Sequence, residues 1–204
     1  SGDAEYAAAE LEEVRAREGL DVLTVTDAAG IVLLRTSNPG QVGDDQGQDQ
    51  IVGAVLRSRE AVASTVIVPG EDLVLESPLL AERARIEYVD TPLARERTET
   101  VETAGMMLKA AAPVLGEDGT LIGIIYGGIL LNRQFQIVDE IKQTVYEDMT
   151  YEGRDIGTAT IFQDDVRIST NVRNTDGSRA IGTRAWEEVY DQVVLEGRPW
   201  IGRA

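Results

Sequence analysis

The sequence contains no cysteine and no histidine among its 204 residues. Without cysteine the chain cannot form disulfides, thiolate metal sites or a cysteine nucleophile, and without histidine it lacks the commonest metal ligand and general base. A hydrolase that uses acidic residues alone remains an alternative, but no motif places a base beside a nucleophile. We therefore expect the region covered by this sequence to be non-catalytic, with no catalytic residue, no metal ion and no cofactor.

Long apolar runs and excess positive charge are absent as well. No apolar run reaches the roughly 18 residues that a membrane-spanning helix needs, because Asp, Glu, Arg or Gly interrupts each candidate. The formal net charge of -17 repels nucleic-acid phosphates and anionic lipids. The sequence thus predicts no nucleic-acid partner, and contact with a membrane only through segments outside this chain.

The first two thirds of the sequence predict a long helix followed by one antiparallel sheet. Residues 4–18 carry apolar side chains at steps of three and four among charged ones, as in an amphipathic helix. Residues 106–115 and 121–131 form the clearest hairpin, and we expect it at the centre of the sheet. Residues 69–103 show no pattern that assigns a structure. The other predicted elements are strands at 21–26, 31–35 and 61–68, a polar loop at 36–50, and helices at 51–59 and 133–147.

The order of strand, tight turn, strand, polar loop and helix recurs in the last third of the chain. This weak duplication indicates two related modules in series. The predicted division is a signalling helix at 1–20, a first module at 21–147 and a partial second module at 148–204 that lacks its closing hairpin. Its predicted elements are strands at 157–163 and 166–172, a turn at Asp164–Asp165, a loop at 174–182, a helix at 185–195 and the start of a strand at 199–203.

Several segments in this last third are distinctive. They are GTATIFQDDVRISTN (157–171), GSRAIGT (177–183), VY (189–190) and GRPWIGRA (197–204). These segments resemble the Cache 3/Cache 2 fusion type of extracytoplasmic sensor found on bacterial histidine kinases and chemoreceptors. The resemblance implies an α+β, PAS-like Cache fold, in which helices flank an antiparallel sheet and a long helix precedes it. It also implies that the second PAS-like module is incomplete, its last strands following Ala204.

Two further segments are similar to citrate- and dicarboxylate-sensing PAS-like domains. They are RTSNP (35–39) and APV (112–114) with the glycines that follow it. Those domains often carry histidine where Asn38 stands. Because asparagine can hydrogen-bond a ligand but has no cationic form, we expect a smaller or less charged ligand than a tricarboxylate.

A carboxylate ligand needs cations and hydrogen-bond donors that converge on an apolar cavity. Alternation along the hairpin places Lys109 on the same face as Met107 and Ala111, pointing either into a pocket or out to water. The alternative for Arg35 and Lys109 is that both are solvated edge charges, and Tyr126 is as well explained as a core residue. The predicted ligand-binding residues are Arg35, Ser37, Asn38, Arg57, Lys109 and Tyr126.

Three pairs of adjacent acids could suggest a metal site or paired-carboxylate catalysis. Turn chemistry explains Asp164–Asp165 and Glu117–Asp118, and a solvated helix face explains Glu187–Glu188. We therefore expect neither a metal site nor catalysis at these pairs. We also expect three arginines of the second module to pair with nearby acids: Arg167, Arg179 and Arg184.

Together these features favour a sensor. The hypothesis is the periplasmic part of an inner-membrane sensor histidine kinase, which binds a small organic acid and transmits the signal through its helices. The apolar seam of the first helix favours a homodimer in the full-length receptor. Two alternatives stay open: the sensor domain of a chemoreceptor, and a contact-sensing or dimerisation module with no small ligand.

Overall fold

The computed structural model describes residues 2–147, 150–151, 154–155 and 157–202. The helices are α1 (Gly2–Arg17), α2 (Gln50–Ser58), α3 (Gly70–Glu76), α4 (Pro78–Ala84), α5 (Phe135–Tyr146) and α6 (Glu187–Tyr190), the last followed by a π-helical turn, Asp191–Leu195. The strands are β1 (Val22–Asp27), β2 (Val32–Arg35), β3 (Val62–Val68), β4 (Ile86–Glu87), β5 (Val101–Glu102), β6 (Gly105–Leu115), β7 (Leu121–Leu130), β8 (Thr150–Tyr151), β9 (Arg154–Asp155), β10 (Thr160–Gln163) and β11 (Val166–Thr170). No helix among the described residues has the length and apolar character that a bilayer span requires.

The chain folds into two compact units, each built from two stretches of sequence. The first unit consists of Ser1–Glu82 and Ala104–Leu130, and the second of Arg83–Thr103 and Leu131–Ala204. The modules predicted at 1–20, 21–147 and 148–204 follow the order of elements along the sequence, whereas the two compact units are defined by contacts in the fold. The predicted module bounds therefore stay a prediction. Parts of the last module lie outside the described residues, namely 148, 149, 152, 153, 156, 203 and 204.

The first unit contains a five-stranded antiparallel sheet in the order β2-β1-β7-β6-β3. The long hairpin of β6 and β7 therefore lies inside the sheet, which confirms its predicted central position. Along β6 the side chains of Met107, Lys109 and Ala111 are buried, whereas Leu108 is 44% exposed. The predicted alternation is correct, and the face that carries Lys109 is the inner one.

Helices α2 and α3 contribute to the inner side of this sheet. α2 begins at Asp49, whose carboxylate oxygen Oδ1 accepts hydrogen bonds from the backbone amides of Ile51 and Val52 at 3.0 and 2.9 Å. Such a cap satisfies two amides that otherwise lack an intrahelical partner. α2 packs against β3, β6 and β7, and α3 buries Leu73 and Glu76. Glu76 reaches side chains of β1 and β7, so the end of α3 lies over the middle of the sheet.

The second unit is built around the β10–β11 hairpin. Val166 and Ile168 of β11 are fully buried, as is Val138 of α5. The segment 83–103, which has no clear sequence pattern, is part of this core: the Val89 amide donates to the Gly182 carbonyl and the Glu187 amide donates to the Leu93 carbonyl. Its structure is set by residues more than ninety positions later, which explains why no local pattern identifies it.

Most predicted elements are confirmed with shifts of one to three residues at their ends, including the long first helix, the first sheet and the α+β class. The predicted strand at 199–203 is wrong for its described residues, since 199–202 form no strand. A strand needs a partner ladder, and this stretch pairs with none of the described strands. The helix predicted at 185–195 is shorter, because α-helical bonding covers only Glu187–Tyr190 before the π-helical turn.

Candidate functional site

A polar cavity of about 230 Å³ lies on the inner face of the first unit's sheet. This volume is somewhat below the roughly 300–1,000 Å³ of pockets that hold drug-sized molecules, so it suits a small metabolite. The walls come from the loop before α2, the cap of α2, the end of β3, α3 and the middle of β6. The lining residues are Asp45, Gln46, Gln48, Asp49, Val68, Asp72, Glu76 and Lys109.

Arg35 lies behind this cavity as a fully buried cation. Its Nη1 and Nη2 donate to the two carboxylate oxygens of Asp44 at 2.6 and 2.8 Å. Its Nε lies 3.1 Å from Oε1 of Glu76, an ion pair whose angle falls short of a hydrogen bond. Burial opposes the charge on Arg35, but the hydrogen bond to Asp44 and the charge of Glu76 prevail and raise its pKa. The same hydrogen bond lowers the pKa of Asp44 to about 2.

Glu76 is the acceptor at the centre of this network. It is 8% exposed, and its two oxygens accept from the Thr24 hydroxyl at 2.8 Å and the Tyr126 hydroxyl at 2.6 Å. Burial raises the pKa of Tyr126, and the negative charge of Glu76 raises it further. Tyr126 therefore stays a neutral donor, and Arg35, Thr24 and Tyr126 together hold the Glu76 carboxylate in one position.

Lys109 is the cation that lines the cavity itself. Its Nζ donates to Oδ2 of Asp49 at 2.7 Å and lies 4.4 Å from the centre of the Tyr126 ring. The residue is 6% exposed. Of the two directions that the sequence left open for Lys109, the structure therefore selects the pocket. The cap of α2 and the middle of β6 are tied together by this ion pair.

The other three predicted residues lie elsewhere. The Ser37 hydroxyl donates to the Asp21 carbonyl at 3.0 Å, and the Asn38 amide donates to the Leu75 carbonyl at 3.0 Å. Arg57 is exposed on α2. The structure thus brings Arg35, Lys109 and Tyr126 together around Glu76 and uses Ser37 and Asn38 to hold backbone. A ligand-binding role for any of the six stays a prediction.

Four acidic residues of the cavity were missed by sequence reasoning, namely Asp45, Asp49, Asp72 and Glu76. Asp49 carries a usable signal, because an aspartate just before a predicted helix is a typical N-cap. Asp72 and Glu76 fall in a segment that the sequence left unassigned. Among the described residues, the Asp72 carboxylate has no hydrogen-bond or ion-pair partner. Burial raises the pKa of Asp72, and the neighbouring charges of Glu71 and Asp49 raise it further.

The acid pair Asp164–Asp165 in the second unit has a structural explanation. Asp164 adopts a left-handed backbone conformation with φ 57° at the tip of the hairpin, as its turn role predicts. Asp165 is fully buried and accepts from Arg184 Nη2 at 2.8 Å, and Arg95 Nε lies 3.3 Å from it. The expected pairing is confirmed for Arg184, and likewise for Arg179, which binds Asp139. It is wrong for Arg167, which has no acidic partner among the described residues and lies 5.6 Å from the centre of the Phe162 ring. No group of three potential metal ligands occurs within the described residues.

The outer face of the first sheet carries a larger depression of about 690 Å³. Its surface is formed mainly by small and apolar side chains such as Leu108, Ala110 and Ile129. A small-molecule site needs a few placed polar groups to fix the ligand's orientation. The inner cavity has these groups, and we therefore take it as the candidate site.

The class of protein follows from the fold: an antiparallel five-stranded sheet with helices over one face is the PAS-like arrangement. Residues 129–204 match the family model of single Cache domain 3. This part of the chain is therefore similar to the Cache sensors, and the predicted resemblance is confirmed there. Cache domains are sensory and generally non-catalytic, are typically extracytoplasmic, and in general bind small ligands.

Two solved structures show limited similarity to this chain. One is the domain of a putative sensory box/GGDEF family protein from Vibrio parahaemolyticus, with a TM-score of 0.43 and 10% identity over 82% of this chain. The chain spans 54% of that structure's length. The other is the PAS domain of Bordetella pertussis BvgS, with a TM-score of 0.29 and 18% identity over 72% of this chain and 96% of that domain. At these TM-scores neither likeness carries an argument about function. No curated protein matches the chain in sequence.

Proposed function

We propose that this chain is the extracytoplasmic ligand-sensing part of a transmembrane sensor histidine kinase, and that a small molecule binds in the cavity beneath α2 and α3. The observation that carries the proposal is the set of polar side chains around one small cavity, of which Asp49, Glu76 and Lys109 are held in place by hydrogen bonds or ion pairs. Glu76 is fixed by three partners. Pre-organised polar groups of this kind reduce the cost of binding. Kinase output rather than chemoreceptor output rests on the sequence resemblance alone.

A ligand in this cavity would act on the placement of two helices. The wall residues belong to α3 (Asp72 and Glu76), to the cap of α2 (Asp49) and to β6 (Lys109). A molecule that bridges them binds better to one arrangement of α2 and α3 than to another, and so shifts the population toward it. The shift would reach the membrane through the sheet and α1, which leads directly into β1.

A thermal-shift screen of small metabolites against the whole chain tests this proposal. A ligand present at many times its dissociation constant raises the melting temperature because it binds only the folded state. We expect at least one compound to do so, and Lys109→Met to remove the effect. Lys142→Met is the matched control, since Lys142 is the other lysine of the sequence and lies on α5 in the second unit. A screen without hits, or hits that Lys109→Met leaves intact, would contradict a ligand in this cavity.

A second candidate function is a contact-sensing or dimerisation module. It is favoured by α1, in which residues 5–7, 9 and 10 are exposed, with Tyr6 68% exposed. A parallel homodimer through this helix would cover those side chains. Analytical ultracentrifugation over a range of concentrations tests the dimer, and a monomer at every concentration would refute it for this chain.

A further inference from the structure

Strand β3 lies at one edge of the first unit's sheet, where its only strand partner is β6. Its seven residues, VASTVIV (62–68), include no charged residue and no proline. Its register with β6 runs through all seven positions without a bulge. Edge strands usually avoid pairing with another chain by being short or by carrying charges, proline or a bulge. β3 has none of these protections.

The opposite edge strand of the same sheet, β2, is protected. β2 has only four residues, and the loop that follows it returns along its free side. The Val32 amide donates to the Asp44 carbonyl at 2.9 Å, and the Gly43 amide donates to the Val32 carbonyl at 2.8 Å. A bridge between Ile31 and Asp45 extends this cover. Among the described residues, no backbone hydrogen bond of this kind covers the free side of β3.

The sequence of β3 is suited to antiparallel pairing with a second copy of itself. A pair centred on Thr65 aligns all seven residues. Ala63 then lies opposite Ile67, so a small side chain faces a large one on the outer side of the sheet. On the inner side Ser64 lies opposite Val66. Ala63, Thr65 and Ile67 are exposed in the single chain, and such cross-strand pairs stabilise a sheet when they come into contact.

Charge also favours a second copy as the partner. The formal net charge of -17 makes two copies repel each other over most of their surfaces, and an uncharged strand allows their backbones to approach. Beyond the ladder, the exposed Arg59 precedes β3 and the exposed Glu71 follows it. In the same register, Arg59 of one copy lies toward Glu71 of the other, twice by symmetry. Glu60 lies toward the uncharged Gly70.

We infer that two copies of this chain associate edge to edge through β3, antiparallel about a twofold axis at Thr65, so that their five-stranded sheets become one continuous sheet. Assembly stops at two copies, because the edge of β2 is covered in each. A single seven-residue ladder is a small interface, so we expect a dimer that dissociates on dilution. This contact needs no ligand and differs from the α1 contact considered above.

Sedimentation velocity of the whole chain, from low micromolar to submillimolar concentration, tests this contact. We expect the wild type to dimerise at the upper end. Thr65→Lys places two ammonium groups opposite each other at the twofold axis and should raise the dissociation constant at least about tenfold. Thr65→Asp should do the same with two carboxylates. An equal mixture of the two variants should restore the dimer. Thr120→Lys, at an exposed threonine just before β7, is the control and should leave the dimer unchanged.

Hydrogen exchange of the 61–68 peptide gives a second readout that the wild type alone supplies. Protection of this peptide should rise with protein concentration, because the ladder ties up amides on the free side of β3. A monomer at every concentration overturns the inference, as does a dimer without added protection in this peptide. A dimer that Thr65→Lys leaves intact favours the α1 contact instead. Failure of the mixed variants to restore the dimer overturns the twofold axis at Thr65, and species larger than a dimer overturn the closed pair.

Discussion

Replacing Arg35 by methionine should destabilise the first unit strongly. The Arg35 side chain is fully buried, and its removal leaves Asp44 and Glu76 without their cation. The Asp44 side chain is 28% exposed and can be solvated by water, so loss of its ion pair with Arg35 costs little. The Glu76 side chain is only 10% exposed, so water cannot replace Arg35 there. Methionine fills most of the volume, which keeps a cavity from adding to the effect.

The size of this destabilisation is set by the Glu76 carboxylate, which is left buried without a cation. Breaking a buried ion pair by removing one partner costs roughly 3–5 kcal/mol. Glu76 keeps hydrogen bonds from Thr24 and Tyr126, so we expect the lower end, about 3 kcal/mol. The double variant Arg35→Met/Glu76→Gln should lose clearly less than the single variant, because a neutral amide needs no cation. Arg85→Met, which breaks an exposed pair with Glu87, is the control and should change stability by less than about 0.5 kcal/mol.

The assay must report on the first unit. Both tryptophans, Trp186 and Trp200, belong to the second unit, so intrinsic fluorescence does not follow the sheet around Arg35. Native-state hydrogen exchange read by mass spectrometry on peptides from β1 and β7 gives the local free energy of opening directly. A loss in Arg35→Met no larger than in Arg85→Met would refute the buried network. So would a double variant that is less stable than the single one.

Three further outcomes are expected from the same unit. The pKa of Asp44 is lowered from 3.8 to about 2, so its contribution to the free energy of unfolding is present above pH 4 and is lost as pH falls toward 2. The full shift corresponds to roughly 2 kcal/mol. We expect about 1 kcal/mol because the carboxylate is partly solvated. Urea unfolding of wild type and Asp44→Asn should show that difference at pH 7 and only about a third of it at pH 2.5, where the carboxyl group is partly protonated. Gly123→Ala should lower the melting temperature because its Cβ would collide with the Thr26 carbonyl oxygen, whereas Gly40→Ala meets open space and should not. Asp49→Ala should cost more than the roughly 1–2 kcal/mol of a lost helix cap, because it also leaves the buried Lys109 without its partner, and Asp49→Asn, which keeps a capping oxygen, should cost less in the same urea assay.

Local periodicity predicts the parts of this fold that depend on neighbours in sequence. The alternation along 105–115 identifies the face shared by Met107, Lys109 and Ala111, and the structure confirms it. The direction of that face was undetermined, because it depends on where α2 and α3 pack. Both helices contact β6 or its neighbours only through the tertiary fold. The sequence around Lys109 therefore cannot predict which face of β6 is buried.

For the same reason, the sequence predicts only some of the residues of the candidate site. Arg35, Lys109 and Tyr126 could be proposed because charged or polar residues in strands need an explanation. Glu76, their common acceptor, is 52 positions from Thr24 and 50 from Tyr126. It lies at the end of α3, which has only seven residues and is too short for a helical period to be recognised. Charge compensation between distant residues is a property of the packed chain, so it cannot be read from any one segment of the sequence.

The two compact units are interleaved along the sequence, with joins after Glu82, Thr103 and Leu130. Neither unit can therefore be excised as one uninterrupted stretch of gene. A fragment that ends at 147 would carry residues 83–103 without the carbonyl of Gly182 and the amide of Glu187 that hold them. A recombination or truncation that respects only the order of modules would break backbone pairing in both parts. Any transfer of this region to another protein should therefore preserve the chain from the first sheet through the second hairpin.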